Sequence, residues 1–453
     1  MVQVTDNPTM TETDQYLEAF ERFAPRAGHP AWVLLLRKAG IAHFADEGFP
    51  TLEQEDWRFT NVAPIAKLPF KPVLADSRDG LCQKDLEAFT FGRLAVARLV
   101  FVNGHYAAGL SSPGAQPRGG RVGSLAAALA GDTALIEQHL GRHAQSEGNP
   151  FAALNAAFFQ DGGFIHIPAG ERLEMPVHLL FISTAKEAGA TAHPRNLIIA
   201  EEASQVTVLE SHVSIGQAPC FTNAVTEVVL GEGAVVEHAK FQDENRTAFH
   251  IAAVHAQLGR SCNFTSHSIA AGARLSRNNI RTVLAGEGVE CTLNGLYLTR
   301  GDQLADHHMV VEHAQPHCNS HEYYNGILDG RSRGVFHGRI LVRPAAQKTD
   351  AKQTNKNLLL SEDATVDTKP QLEIYADDVK CTHGATVGQL NEESIFYLRA
   401  RGIGTDTARR MLIHAFAGEI IERVRYAPAR EELDRLVWER LEQNPRVGEH
   451  KGV

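Results

Sequence analysis

Two residues of the chain are well placed to act together on one ligand: Cys381 and His383, which are separated by a single threonine. In an extended segment, residues i and i+2 point to the same side of the chain, so both side chains can reach one ligand or partner. Cysteine sulfur and imidazole nitrogen are good ligands for iron, zinc and copper. The same pair is also explained by a buried cysteine beside a hydrogen-bonded histidine, or by a Cys–His protease, for which no orienting Asn or Asp can be identified.

Five further histidines lie close together upstream, with Cys318 among them: His307, His308, His313, His317 and His321. This region has the pattern of β-strands, in which even separations place side chains on one face. A metal site is an alternative here, but no complete set of ligands can be recognised. We therefore expect surface or partly exposed histidines on repeating strands, and we predict no metal site in this segment.

Familiar catalytic motifs are absent from the sequence. It contains no G-x-x-x-x-G-K-[ST], G-x-S-x-G or H-E-x-x-H pattern, which argues against a P-loop nucleotide site, a serine hydrolase and a zinc protease. Glycine pairs such as Gly231 and Gly233 lie between strand-like runs and are better explained as tight corners. We predict that the chain binds no nucleotide, has no catalytic residues and is not an enzyme.

The elements that must position these residues repeat along the chain. From about residue 161, short runs rich in Val, Ile, Thr and Phe recur, and no long helical period occurs before about residue 391. Aligning Ala203, Gly231, Gly259 and Gly286 gives a nearly constant step of about 28 residues, and Gln315 extends the series more weakly. Such a period is typical of a stacked array, here of strand coils spaced by about 4.8 Å. We predict a mainly β protein whose core, residues 161–388, is a β-solenoid; an irregular β-sandwich is the alternative.

Helical patterns flank this core on both sides. Residues 1–160 are predicted to be a mixed region that begins with amphipathic helices, and residues 389–453 a helical domain. The main C-terminal helix should start near Thr405 and run to about Val424. Its apolar stripe is predicted to consist of Ala408, Met411, Leu412, Ala415 and Phe416. This domain can cap the exposed end of the solenoid, dock another protein, or do both.

The composition is that of an ordinary folded protein. The chain has 453 residues, 44 basic and 54 acidic side chains and a net charge of −10, which disfavours a protein that wraps nucleic acid. No apolar run approaches the ~20 residues that cross a bilayer, and the first residues are too polar and acidic for a signal peptide. The six cysteines are dispersed, as free thiols in a reducing compartment usually are. These features predict a cytoplasmic protein without membrane contact.

Several long segments resemble the SufB/SufD family of the SUF machinery for iron–sulfur cluster assembly. The most specific segment is DDVKCTHGATVGQLNEESIFYLRARGI, which contains Cys381 and His383. Similar stretches are GFPTLEQEDWRFTNV near the start, NPFAALNAAFFQDGGFIHIPAG before the repeats, and FHGRILVRPAAQKTDAKQTNKNLLLS within them. The resemblance covers nearly the whole chain, and HGAT after the cysteine, together with WRFTN, is more similar to the SufD branch than to the SufB branch.

The resemblance implies a right-handed parallel β-helix between helical ends and a scaffold role without catalysis. It implies assembly with SufB through the β-helices and with the ATPase SufC through the C-terminal helices, where Arg409, Leu412 and Phe416 become candidate contacts. A transient iron–sulfur cluster would form at the SufB interface, bound by a SufB cysteine and His383, with Cys381 as a neighbouring candidate, and would pass to apo-proteins. Incomplete coordination suits a scaffold that must release its cluster.

Two other functions remain open from the residues alone. One is a β-helix enzyme acting on polysaccharides, although no carboxylate pair can be recognised among the repeats and such enzymes are usually exported. The other is a stand-alone metal-binding protein that uses the histidines from 307 to 321. The residues do not distinguish whether the chain binds iron or a flavin by itself, or forms a homodimer without SufB.

Overall fold

The computed structural model describes residues 12–24, 30–73, 80–89, 91–94, 96–131 and 133–442. In these ranges the helices are α1 (Asp14–Phe23), α2 (Ala31–Glu47), α3 (Ala63–Ala66), α4 (Leu125–Leu129), α5 (Ala134–His139), α6 (Pro150–Phe158), α7 (Glu392–Arg399), α8 (Thr405–Ile421) and α9 (Ala427–Glu442). Short 3-10 helices are formed by Glu55–Trp57, Gln83–Ala88 and Ala108–Leu110. No helix in the described ranges is long and apolar enough to cross a membrane.

The strands are short at the beginning of the chain and regular afterwards. The first eight are β1 (Lys71–Pro72), β2 (Ala97–Val102), β3 (His105–Tyr106), β4 (Arg121–Ser124), β5 (Gly163–Ile167), β6 (Val177–Ser183), β7 (Ala190–Ala192) and β8 (Arg195–Ala200). The next seven are β9 (Gln205–Ser214), β10 (Cys220–Leu230), β11 (Val235–Asp243), β12 (Phe249–Leu258), β13 (Asn263–Ala270), β14 (Leu275–Leu284) and β15 (Glu290–Thr299). The last six are β16 (Leu304–His313), β17 (Asn319–Leu328), β18 (Arg333–Val342), β19 (Asp350–Leu359), β20 (Thr365–Ile374) and β21 (Lys380–Gly388).

Two long sheets run along the molecule, and from β8 onwards successive strands of the chain alternate between them. The first sheet has the order β20-β18-β16-β14-β12-β10-β8-β5-β4, and the second has the order β21-β19-β17-β15-β13-β11-β9-β6-β2-β3. In the first sheet, all neighbouring strands from β5 to β20 pair in parallel, and in the second sheet all neighbouring strands from β6 to β21 do so. The chain therefore winds through about eight coils, and the predicted β-solenoid is confirmed.

The predicted repeat is confirmed from Gly231 to Gln315. Register partners in β11, β13, β15 and β17 form the series Val235, Asn263, Glu290 and Asn319. Successive members of this series are separated by the same numbers of residues as Gly231, Gly259, Gly286 and Gln315. The first predicted step is wrong. Val235 pairs with Gln205 of β9, so Ala203 matches Gly233 rather than Gly231.

One corner of the solenoid explains why the repeat is hard to recognise. At this corner, one residue of each coil has a positive φ and donates its main-chain N–H to a carbonyl of the next coil. The seven residues are Gly170, Ala203, Gly233, Ser261, Gly288, His317 and Lys348. Positive φ favours glycine, yet only three of the seven are glycines. The repeated hydrogen bonds between coils therefore stabilise a conformation that the residue types do not indicate.

The N-terminal helices cover the outer face of the first sheet. Tyr16 of α1, Phe44 of α2 and Phe158 of α6 form one buried apolar cluster with Phe221 of β10 and Phe249 of β12. Alternation along these strands places Phe221 and Phe249 on the face opposite to the solenoid interior. The N-terminal region therefore stabilises one flank of the solenoid by burying apolar surface.

The C-terminal helices cover the outer face of the second sheet instead. Ile413 and Ile420 of α8 and Leu433 of α9 share a buried cluster with Phe241 of β11 and Ile327 of β17. This cluster extends along the flank and leaves the last strand, β21, mostly exposed. The C-terminal domain therefore does not cap the end of the solenoid, which was one of the two roles that the sequence left open.

The buried face of α8 also differs from the predicted stripe. The buried residues of this helix are Ala408, Ile413, Ala417, Ile420 and Ile421. Of the predicted stripe, only Ala408 is among them, and Met411 is exposed. The helix carries apolar residues on more than one face, so periodicity alone did not determine which face packs on the sheet.

The coils pack tightly around aromatic rings inside the solenoid. Gly295 of β15 is the register partner of Tyr324 of β17, whose ring is fully buried. A Cβ atom at Gly295 would overlap that ring. Gly384 of β21 offers a contrast because, apart from Gly384 and its two chain neighbours, no heavy atom of the described residues lies within 4 Å of a Cβ atom placed there.

We predict that Gly295→Ala lowers the free energy of unfolding by about 1–3 kcal/mol, because a buried ring cannot move without disturbing its neighbours. Gly384→Ala is the matched control and should change it by less than about 0.5 kcal/mol. Urea unfolding of both variants measures the difference. Equal stabilities of the two variants would show that the interior near Tyr324 is not tightly packed.

The solenoid interior also contains an acidic side chain. Glu322 of β17 is fully buried, and the Nε2 atom of Gln353 donates a hydrogen bond of 2.8 Å to its Oε2 atom. Burial raises the pKa of Glu322 to about 8 because removal from water disfavours the charged carboxylate. The Glu322 carboxyl is therefore largely neutral at pH 7.

We predict that Glu322→Gln changes how stability depends on pH. The folded chain keeps a proton on Glu322 up to about pH 8, whereas the unfolded chain releases it near the ordinary pKa of 4.5. Between these values the folded state binds more protons, so this group makes the free energy of unfolding fall by up to about 1.4 kcal/mol per pH unit as pH rises. The variant should lack this contribution.

Unfolding of the wild type and Glu322→Gln at about pH 6 and about pH 8 measures this effect. The exposed Glu362, changed to Gln, is the control and should follow the wild type at both pH values. A stability difference between Glu322→Gln and the wild type that does not grow with pH would contradict a neutral buried carboxyl.

Candidate functional site

Cys381 and His383 lie on β21, the last strand of the second sheet. Strand β21 pairs with β19 on one side, and in the described residues it has no strand partner on its other side. Strand β20 occupies the same terminal position in the first sheet. The last coil therefore presents two strand edges with unpaired main-chain groups, a feature that often mediates pairing with another chain.

The register of β19 and β21 determines the direction of both side chains. Cys381 is the partner of Ala351, and His383 is the partner of Gln353. Ala351 and Gln353 are buried and face the solenoid interior, and partners in neighbouring parallel strands point to the same face. Since no further coil of the described residues covers β21, Cys381 is half-buried and His383 is exposed. The structure thus brings the two side chains to one side of one strand.

The thiol of Cys381 is not activated in this chain alone. Its partial burial, with a smaller contribution from the nearby Asp350 carboxylate, raises the pKa of the thiol. The thiol therefore stays protonated at neutral pH, and a metal would have to displace that proton. In the described residues, neither Cys381 nor His383 belongs to a group of three potential metal ligands. The pair can supply one imidazole and one sulfur to an incomplete site.

Exposed apolar side chains also lie on the last coil, which carries this incomplete site. Ile374 at the end of β20, Tyr375 beside it and Val387 on β21 are 39%, 61% and 49% exposed. Apolar side chains on unpaired strand edges are typical of surfaces that bind another protein. The sequence predicted the Cys–His pair but not these neighbours, because isolated apolar residues in a strand pattern do not indicate exposure.

The upstream histidines do not form a surface cluster, so that expectation is wrong for three of the five. His307 and His313 face the solenoid interior and His308 faces the outer surface beneath the N-terminal region, and all three are buried. Burial lowers the pKa of His307 to about 3 and that of His313 to about 4. His317 is exposed at a corner and His321 is half-buried. The five imidazoles therefore point in different directions.

A group of three potential ligands occurs elsewhere in the described part of the chain. It consists of Asp56, His308 and His337, whose candidate ligand atoms lie within 4.8 Å of one another. The Nη2 atom of Arg277 donates to Nδ1 of His308 at 3.0 Å, so the neutral ring carries its proton on Nε2, which lies 3.8 Å from Asp56. Neither ring nitrogen then offers a free lone pair. We interpret this group as a polar contact between the N-terminal region and the solenoid.

The three candidate docking residues on α8 have different surroundings. Phe416 packs against the buried cluster that joins α8 to the second sheet. Leu412, by contrast, lines a shallow surface cavity together with Tyr397 of α7. Arg409 is half-buried near the end of β19 and lines a separate small cavity with Leu360. The structure therefore separates Phe416 from the accessible surface that contains Leu412.

Sequence reasoning missed the most exposed part of that surface. Phe396 and Tyr397 of α7 are 72% and 57% exposed. The guanidinium of Arg401 lies over the Tyr397 ring, 3.3 Å from its centre. Two adjacent aromatic residues in a short helix were the available signal, and large exposed aromatic side chains are frequent in protein interfaces.

Comparison with known proteins agrees with the resemblance found in the sequence. The family model "SUF system FeS cluster assembly, SufBD core domain" matches residues 181–416, and "SufBD protein N-terminal region" matches residues 10–179. An iron–sulfur cluster assembly SufBD family protein of Synechocystis is 33% identical over 431 residues, which cover 93% of this chain and 94% of that protein. The iron–sulfur cluster assembly protein SufD of Escherichia coli is 34% identical over 396 residues, 87% of this chain and 90% of that protein. The chain belongs to the SufBD family of the SUF system for iron–sulfur cluster assembly.

Proposed function

We propose that this chain is a non-catalytic scaffold subunit that pairs with SufB, so that a nascent iron–sulfur cluster forms between them. The observation that carries the proposal is the position of His383, exposed on the unpaired terminal strand of the solenoid. A ligand at that position is accessible to a second subunit but not enclosed by its own chain. The cluster is the cargo of this site, and it passes on to apo-proteins.

Pairing with SufB is supported by the two edges of the last coil. Unpaired strands can add a strand from another chain, and main-chain hydrogen bonds then contribute affinity. The exposed side chains of Tyr375 and Val387 would be buried by such an addition. Burial of apolar surface between two solenoids also removes water from around His383, which strengthens the interaction between a metal and its ligands.

The ligand set supports a temporary cluster rather than a permanent one. His383 supplies an imidazole, and Cys381 supplies a thiol that is protonated until a metal displaces its proton. At least one thiolate from SufB is needed to hold iron. The six cysteines of this chain are free, as suits a protein of the reducing cytoplasm.

Docking of the ATPase SufC fits the face formed by α7 and the accessible side of α8. Phe396, Tyr397 and Leu412 provide an apolar surface there, next to the shallow cavity between the helices. The buried side of α8 is already occupied by the second sheet. Leu412 is therefore the stronger contact candidate, and Phe416 instead stabilises the attachment of the helix.

We predict that His383→Ala prevents cluster formation in the complex of this chain with SufB and SufC. The imidazole is an expected ligand, and alanine cannot replace it. Anaerobic reconstitution of the copurified complex with ferrous iron and sulfide, followed by visible absorption, measures cluster content. His317→Asn is the control, because His317 is also exposed but lies at a solenoid corner. Equal cluster contents of the two variants would refute the role of His383.

We predict that Leu412→Glu weakens SufC binding at least ~10-fold, because a charge is placed in an apolar contact. The control is Ile215→Glu, since Ile215 is also an exposed apolar residue but follows β9 and lies outside the face formed by α7 and α8. Phe416→Ala should instead lower the free energy of unfolding by about 1–3 kcal/mol. Titration calorimetry with SufC and thermal unfolding separate these effects. Unchanged SufC affinity of Leu412→Glu would exclude this face.

A further inference from the structure

Gln353 lies directly next to His383 in the stack of coils. The two residues are register partners in β19 and β21, and neighbouring strands are about 4.8 Å apart. Gln353 is buried, and its Nε2 atom is used by the 2.8 Å hydrogen bond to Glu322 in the preceding coil. Its Oε1 atom is buried without a hydrogen-bond partner among the described residues. An unpaired buried carbonyl is costly, so this atom requires an explanation.

The facing strand holds the Gln353 amide in place. Gly338 of β18 lies opposite, and a Cβ atom at that position would overlap the side-chain amide of Gln353. The missing side chain at Gly338 therefore provides the space that the amide occupies. Glu322 below and Gly338 beside it together restrict the orientation of the amide. In the structure the amide nitrogen points to Glu322, and the amide oxygen has no hydrogen-bond partner among the described residues.

We propose that Gln353 is a positioning residue for His383: its Oε1 atom accepts the N–H of the His383 ring and thereby leaves the other ring nitrogen for iron. Histidines that bind metals commonly donate their second ring N–H to a carbonyl or carboxylate, which determines the tautomer and orientation of the ring. The hydrogen bond forms as SufB covers the open end and the ring of His383 settles against the coil below. Glu322 contributes indirectly because it holds the amide nitrogen. This inference rests on the proposed function, since it takes His383 as an iron ligand.

The test compares ferrous iron binding by the assembled complex of this chain with SufB and SufC under anaerobic conditions. Gln353→Met keeps the length of the side chain but removes its carbonyl, and we expect iron affinity to fall by about 10–100-fold. Thr354→Val is the matched control, because Thr354 is its neighbour on β19 and faces the outer surface. Its affinity should equal that of the wild type.

A swapped pair separates positioning from packing. In the double variant Glu322→Gln with Gln353→Glu, the amide lies in the lower coil and a carboxyl oxygen faces His383. We expect the iron affinity of this variant to return to within about threefold of the wild type, because an oxygen again accepts the N–H of the His383 ring. Thermal unfolding of each complex confirms that the compared proteins are folded. If Gln353→Met does not assemble, Gly338→Ala replaces it. This variant displaces the Gln353 amide but keeps every polar group, and it should show the same loss of iron affinity.

The outcomes distinguish this inference from the proposed function. One outcome would overturn the positioning role and leave the scaffold role intact. In that outcome, His383→Ala loses iron affinity, whereas Gln353→Met keeps the wild-type affinity. Gly338→Ala takes the place of Gln353→Met if the latter does not assemble. Wild-type affinity in His383→Ala would overturn both. A loss in Gln353→Met that the swapped pair does not recover would also count against positioning through the carbonyl oxygen.

Discussion

The structure depends on hydrogen bonding between successive coils. Each strand satisfies its main-chain groups with the coil before and the coil after, so the fold propagates until something interrupts it. The two ends are treated differently. At the beginning, antiparallel pairs of β4 with β5 and of β2 with β3 end the parallel stacking. At the other end, in the described residues, β20 and β21 end the sheets without a further strand.

This asymmetry leaves different surfaces of the molecule accessible. The N-terminal helices bury the outer face of one sheet, and α8 and α9 bury the outer face of the other. Among the described residues, neither group of helices covers β21, the last strand. The open end of the solenoid and the exposed side of α7 and α8 are therefore two accessible surfaces.

The coil repeat could be predicted from the sequence, but several positions within it could not. Its steps between Gly231 and Gln315 follow from recurrent corner residues, and they agree with the strand registers. The step from Ala203 was wrong because the corner conformation is stabilised by hydrogen bonds between coils and does not require glycine. In a solenoid flanked by helices, both faces of a strand are buried over much of its length. Alternation therefore did not reveal that His307 faces inward and His308 outward.

The Cys–His pair was the predictable part of the candidate site, because spacing of two in a strand places both side chains on one side. The exposure of the pair, by contrast, depends on its place in the last coil. In the coil before it, Ala351 and Gln353 occupy the same two positions and are buried beneath β21. Exposure of His383 is thus a consequence of its place in the last coil. A site completed only by a second subunit exists only while the two subunits are together. If the proposed pairing holds, separating the solenoids removes part of the coordination, and this gives a scaffold a physical means of releasing what it has assembled.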